Sequence, residues 1–249
     1  MTSPVLQTED LCKSFGALKA SDAVSIELYS AEIHAVIGPN GAGKTTLIAQ
    51  LSGALKPDSG SINLLGKDIT HSSIRHRARS GLARTFQISS LAMEDTVLQN
   101  TVLGAMGASG SAWRFFKPAL ADPILLERAG NALQELGIEH LANKPAAQLS
   151  HGQRRQLEVA IALTMDPRAF VMDEPMAGLG TEGSSQMTEL LASLKHQAPI
   201  LLVEHDMEAV FALADRISVL VYGKIIATGT VEQIRNNAEV REAYLGDQA

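Results

Sequence analysis

The chain has 249 residues, 45% of them hydrophobic and 19% charged, which is enough to bury one large core or a core with a subdomain. Its 21 Lys and Arg against 27 Asp and Glu give a formal charge of −6, which excludes a general nucleic-acid binder with a basic face. The single cysteine, Cys12, excludes an internal disulfide and points to a reducing compartment; the start MTSPVLQTED has no secretion signal, and no run approaches the roughly 20 apolar residues that span a bilayer.

Taken in chain order, PVLQTEDLCKSF and DAVSIELYS alternate as half-exposed antiparallel strands do. EIHAVIG (32–38) reads as a buried strand, followed by a helix from Gly43 to about Ser52 with Gly53 as its C-cap. SGSINLLGKDIT (59–70) reads as a hairpin turning near Gly66 and Lys67. RHRARSGLARTFQ (75–87) is basic, His76 included, but lacks the interleaved aromatics that stack on bases, so a solvated helix is expected. Roughly from 90 to 165 strand signals vanish. TVLQNTVLGAM, DPILLERAGNALQELGI and the segment after Ser150 carry helical periodicity, with GASGS (107–111) as a flexible turn. SAWRFFKP (111–118) has two readings: a contact with a membrane partner or lipid, or aromatic packing under snorkelling Arg114 and Lys117. Packing is favoured. AFVMDE (169–174) and PILLVEH (199–205) are strands with polar C-terminal ends, and RISVLVYGKIIATG (216–229) is a hairpin turning at Gly223. The whole is a mixed α/β core interrupted by a helical subdomain.

GPNGAGKTT (38–46) fits G-x-x-x-x-G-K-[ST] through Gly38, Gly43, Lys44 and Thr45, between a strand and a helix. Glycines let backbone N–H groups curl round a phosphate, the helix start faces the anion, Lys44 reaches the β- and γ-phosphates, and Thr45 offers a hydroxyl to Mg²⁺. Asp173 ends a later strand, where the Mg²⁺ shell lies, and Glu174 is placed to orient and deprotonate an attacking water. His205 ends the strand after that, where ligands of open α/β sheets gather. Each of these alone reads as an ordinary polar strand end; the phosphate loop changes the balance.

Ser150 and Gln153 form S-x-x-Q, a capping box, ahead of an apolar face of Leu157, Ala160, Ile161 and Thr164, with Pro167 closing the segment. Capping does not require Gly152, which costs about 1 kcal/mol of helix propensity relative to alanine. A first-turn glycine leaves backbone N–H groups open to an anion, from this chain's own nucleotide or from another's.

At this point the residues resemble the ATP-binding cassette (ABC) ATPase family, whose signature LSGGQ stands here as LSHGQ (149–153). The resemblance covers essentially the whole chain. It implies a Q-loop in RTFQ (84–87) with Gln87 near Mg²⁺, an adenine-stacking Phe15 in KSFG, a D-loop in AGLG (177–180), and His205 as the switch histidine. A P-loop nucleotide kinase, the main enzyme rival, has no reason to carry LSHGQ ahead of its Mg²⁺ aspartate. The implied fold is a P-loop NTPase: a RecA-like mixed β-sheet core with an antiparallel β-subdomain and an inserted α-helical subdomain. It forms one domain over 1–249, with 1–87 and 166–249 as the ATP-binding core and about 88–165 as the helical part. Implied nucleotide-binding positions are Phe15, Gly38, Pro39, Asn40, Gly41, Ala42, Gly43, Lys44, Thr45, Thr46 and Gln87, with Ser150, His151, Gly152 and Gln153 acting across a dimer. Thr45, Gln87 and Asp173 are implied for Mg²⁺, and Glu174 and His205 for catalysis. Two departures stand out. His151 replaces a usual glycine and is expected to face solvent. Gly180 stands where the D-loop commonly has Asp or Asn, which removes a side-chain contact across the dimer.

Within the family, LSHGQRRQLEVA, MDEPMAGL, VEHDMEAVFALADRISVL and IRNNAEVREAYLGD are similar to ATPases of importers for branched-chain and other hydrophobic amino acids, amides or urea. That likeness implies ATP and Mg²⁺ as cofactors. It also implies a second cassette, identical or homologous, transmembrane permease subunits and, indirectly, a solute-binding protein. The expected location is the cytoplasmic face of the inner membrane, with no nucleic acid bound. The alternatives are the ATPase of a lipopolysaccharide-type exporter, which shares the short form, and a transport-independent ABC ATPase, which normally has paired cassettes or a long insertion.

Overall fold

The computed structural model describes residues 3–84, 91–109 and 118–245. Strands β1 (Leu6–Phe15) and β2 (Leu18–Leu28) form a long antiparallel hairpin, and β3 (Ile33–Ile37) then enters the core with all five residues buried. Helix α1 (Lys44–Ser52) follows and stops at Gly53, the expected C-cap. Next come β4 (Ser59–Leu64) and the two-residue β5 (Lys67–Asp68), whose pairing bears out the hairpin turning at Gly66. The first sheet is antiparallel in the order β2-β1-β4-β5.

Helix α2 spans only Ile74–Arg79, and β6 (Leu82–Arg84) joins the core sheet, which corrects the solvated helix expected over 75–87. The reason lies in Arg77, which is 2% exposed. Its guanidinium donates to Gln50 O and Leu51 O (2.6 Å each), Thr70 O (2.7 Å) and Ser72 O (3.1 Å), so a charge that looks solvated in sequence is a buried donor closing the C-terminus of α1.

Helices α3 (Val97–Ser109), α4 (Pro123–Glu135) and α5 (His151–Leu163) make up the described middle of the chain. The expected turn at 107–111 is corrected in part: 107–109 continue α3, because one glycine and one serine weaken a helix by only about 1 kcal/mol and do not by themselves end it. Residues 110–111 and the aromatic cluster 111–117 lie outside the described residues, as does Gln87. Then follow β7 (Ala169–Asp173), α6 (Thr181–Leu194), β8 (Ile200–Val203), α7 (Met207–Leu213), β9 (Arg216–Val221), β10 (Lys224–Gly229) and α8 (Val231–Asn236).

The second sheet runs β10-β9-β3-β8-β7-β6, parallel except for the β9–β10 hairpin. Its central strands are buried throughout and mainly apolar because both faces are covered, with His34 in β3 and the terminal Asp173 of β7 as polar exceptions. One face packs with α1 and the antiparallel sheet around Leu47, Ile48, Leu28 and Ile62. The other packs with α5, α6 and the helical middle around Phe170, Leu157, Leu191 and Leu133. Parallel strands send their C-terminal ends to one edge, so the segments after β3, β7 and β8 emerge together. No helix among the described residues is long and apolar enough to cross a membrane.

Candidate active site

The loop between β3 and α1 ends on Gly43, which caps the helix in the left-handed region (φ 110°) without a side-chain cap. The first-turn N–H groups of α1 therefore remain as donors at the loop. Lys44 folds back over it, donating from Nζ to Gly38 O (2.5 Å) and Pro39 O (3.1 Å). Ala42 is buried, its N–H donating to Pro39 O (3.1 Å) and its carbonyl accepting from Gly223 N (2.8 Å), whereas Asn40, Gly41 and Thr45 are exposed and Thr46 is half-buried. Two of the glycines answer to the protein as much as to a phosphate. A Cβ on Gly38 would lie 2.0 Å from Leu220 O, and one on Gly43 would lie 2.2 Å from Ala20 O. The loop is thus clamped between β9 and β2.

Asp173 ends β7 and is 5% exposed. Burial raises its carboxyl pKa, as does the neighbouring Glu174, while Arg84, Lys44 and Arg155 oppose the shift. Burial lowers the Lys44 ammonium, and Glu174 and Asp173 oppose that shift, so the three groups share one electrostatic neighbourhood. A buried carboxylate beside a second carboxylate is suited to a divalent cation, with the Thr45 hydroxyl on the first turn of α1 as a neutral oxygen donor. Glu174 holds a left-handed backbone (φ 48°), uncommon for a residue with a Cβ, and its N–H donates to Val203 O at 2.8 Å. Its Oε1 stands 3.3 Å from Nδ1 of the exposed His205. The strand ends thus bring Lys44, Asp173, Glu174 and His205 together.

Ser150 and Gln153 form the expected capping box: Gln153 N donates to Ser150 Oγ (3.3 Å), and Ser150 N donates to Gln153 Oε1 (3.1 Å). Of the expected apolar face, Leu157, Ala160 and Thr164 are buried and Ile161 is half-buried. Ser150, His151, Gly152 and Gln153 line a cavity of about 530 Å³ with Gly178, Gly180 and Glu182, among others, and no phosphate-loop residue lines it. His151 is exposed, as expected, yet its ring also lies against the D-loop: Cε1 is 3.4 Å from where a Cβ would stand on Gly178. Phe15, 52% exposed at the end of β1, has its ring centroid 5.8 Å from Lys13 Nζ.

Sequence reasoning passed over Glu204, which is fully buried beside His205, and Arg155, which is buried on α5 and paired with Glu158 at 2.9 Å. The signal for Glu204 was a carboxylate inside the apolar run PILLVEH.

Comparison with known proteins agrees with this architecture. Residues 21–177 match the family described as ABC transporter, and residues 224–249 match the family described as branched-chain amino acid ATP-binding cassette transporter. The high-affinity branched-chain amino acid transport ATP-binding protein LivG of Escherichia coli K12 is 39% identical over 99% of this chain and 100% of that protein. BraF of Pseudomonas aeruginosa, of the same description, is 36% identical over 99% of this chain and 100% of that protein. Among solved structures, the ADP conformation of MJ1267, an ATP-binding cassette of an ABC transporter, superimposes with a TM-score of 0.89 at 33% identity, covering 98% of this chain and 100% of that one. The chain belongs to the ABC transporter family and is one of its ATP-hydrolysing cassettes. Within that family its likeness is to cassettes named for branched-chain amino acid transport.

Proposed function

We propose that the chain powers import of branched-chain or other hydrophobic amino acids, working at the cytoplasmic face of the membrane through permease subunits and paired with a second cassette. Likeness to LivG over the full length, including the C-terminal segment, supports the solute class. The observation that carries the paired arrangement is the separation of two anion-ready helix starts. The α1 start stands beside Asp173, Glu174 and His205, whereas the α5 start opens into a cavity that no phosphate-loop residue lines.

In this reading Lys44 and the free backbone N–H groups of the loop and first turn of α1 hold the triphosphate, and Phe15 stacks on the adenine. Thr45, Asp173 and Gln87 would hold Mg²⁺, which supplies positive charge to the phosphate oxygens when bound. Glu174 orients a water and takes its proton as the oxygen attacks the γ-phosphorus in line. The bond to the β–γ bridging oxygen breaks, leaving ADP and inorganic phosphate. His205 steadies a γ-phosphate oxygen and the water. Ser150 and the Gly152 backbone donate to the γ-phosphate of the facing cassette, so charge develops among donors already in position.

Ser150→Arg tests the pairing. Turnover should collapse while ATP affinity of the dilute chain stays within about twofold; equal loss of both would favour a site made within one chain. The solute class is tested by ATPase activity of the intact membrane complex. Stimulation by leucine or valine supports import of these solutes, and stimulation by lipopolysaccharide alone would favour the exporter reading.

A further inference from the structure

Glu204 is a buried carboxylate to which the hydrolytic scheme assigns no part. It follows the last residue of β8 and is 0% exposed. Its Oε1 accepts from Met176 N at 2.9 Å, and its Oε2 accepts from His205 N at 3.0 Å and Asp206 N at 3.4 Å. Met176 lies two residues beyond Glu174, immediately ahead of the D-loop; His205 and Asp206 form the switch segment. One side chain therefore spans the two connections that carry the opposed groups of the site. Only a carboxylate supplies two oxygens that both accept; an amide would turn its NH₂ toward at least one N–H donor.

The contacts bracket the pair closely. His205 Nδ1 stands 3.3 Å from Glu174 Oε1 and 3.8 Å from Glu204 Oε2, so the imidazole lies between a half-buried carboxylate and a fully buried one. Glu174 itself is held in the left-handed region, with its N–H on Val203 O, the carbonyl just ahead of Glu204. Backbone in that region persists only where its surroundings over-determine it, and Glu204 supplies one of the restraints two residues downstream. Burying a carboxylate is costly unless hydrogen bonds compensate it, and all three compensating donors here belong to the two functional segments.

We propose that Glu204 is the positioning residue of the hydrolytic pair, tying the D-loop start to the switch segment so that Glu174 and His205 keep the separation needed for attack. It rests on the reading of Glu174 and His205 given above. Fully buried and held by the N–H groups of Met176, His205 and Asp206, Glu204 acts through the backbone of those segments. Displacement of the D-loop is passed through Met176 and this carboxylate to His205.

The test uses the purified full-length chain. Glu204→Gln, nearly the same in shape, should lower kcat about tenfold or more while leaving KM for ATP within about threefold, because the phosphate loop is untouched. In a His205→Ala background the same change should cost under about twofold further, since both act through His205. Glu204→Met, of similar volume, should repeat the kcat loss at unchanged KM and serves if the glutamine variant does not fold. Wild-type kcat in either folded variant, full additivity with His205→Ala, or failure of both variants to fold would overturn the proposal in favour of a core role. If Glu174→Gln and His205→Ala themselves turn over normally, the underlying reading of the pair fails instead.

Discussion

At the scale of single residues, the site is set by backbone positions as much as by side chains. Glu174 stands at a left-handed φ of 48° and faces His205 across 3.3 Å, so the fold itself fixes where its carboxylate points. Glu174→Gln keeps the shape and removes the proton acceptor. ATP binding should survive, turnover should fall about a hundredfold or more, and a closed dimer should accumulate with ATP in gel filtration. Normal turnover would remove Glu174 from its assigned part. Gly152 gives a sharper contrast. A Cβ there would meet only Leu179 Cδ2 at 3.7 Å, an ordinary contact, so this chain's own packing leaves room for alanine. Gly152→Ala should therefore stabilise the isolated chain by about 0.5 kcal/mol, seen in urea melts, yet reduce ATPase activity if, as proposed, the facing triphosphate docks where the methyl stands. A variant that gains stability and keeps full activity would show that nothing approaches this helix start.

At the scale of elements, Arg77 connects a short basic helix to the far end of the helix that follows the phosphate loop. Two of its bonds end on Gln50 O and Leu51 O in the last turn of α1, so the helix that presents Lys44 and Thr45 is closed at its far end by a buried guanidinium. Arg77→Met leaves those carbonyls and those of Thr70 and Ser72 without their donor, and should cost about 2–4 kcal/mol in chemical denaturation. Arg77→Lys should recover only part, because an ammonium lacks the planar fork. A loss under about 0.5 kcal/mol for the methionine variant would mean that water replaces the guanidinium freely. The same residue marks where sequence reading stops. Apolar runs and glycine turns made β3, β7, β8 and the β4–β5 and β9–β10 hairpins legible, and strand ends placed Asp173, Glu174 and His205 on one edge. The phosphate loop and the capping box at Ser150 were legible because local chemistry dictates them. Arg77 and Glu204 were not legible, because a charge inside a basic stretch or after an apolar run looks solvated until distant backbone carbonyls or N–H groups are folded against it. The strand at Leu82–Arg84 was missed for a related reason: three residues carry no periodicity, and only pairing with β7 makes them a strand.

At the scale of the whole molecule, two sheets meet, and His34 is a buried titratable group at their junction. It lies on β3, is 1% exposed, and has Nδ1 2.7 Å from Glu27 O on β2 and Nε2 2.8 Å from Ser218 Oγ on β9. A neutral ring satisfies both: Nδ1–H donates to the carbonyl, and Nε2 accepts from Ser218, whose oxygen in turn accepts from the Thr228 hydroxyl at 2.7 Å. Burial, reinforced by the Arg216 guanidinium, lowers the imidazole from 6.5 to about 4, against the pull of Glu27 O. In the unfolded chain the ring takes a proton near 6.5, and in the folded protein only near 4, so below pH 6.5 the unfolded state binds more protons. Stability is therefore lost as pH falls from about 6.5 towards 4, by about 3 kcal/mol in all for this group. His34→Gln carries no titrating group and keeps a donor and an acceptor. Urea midpoints measured from pH 8 down to pH 4.5 should fall more steeply for the native chain than for the variant, with the difference confined to the interval below 6.5. All other carboxylates and histidines titrate in both proteins and cancel, so parallel curves would show that His34 is protonated in the folded state and that the junction between the sheets tolerates its charge.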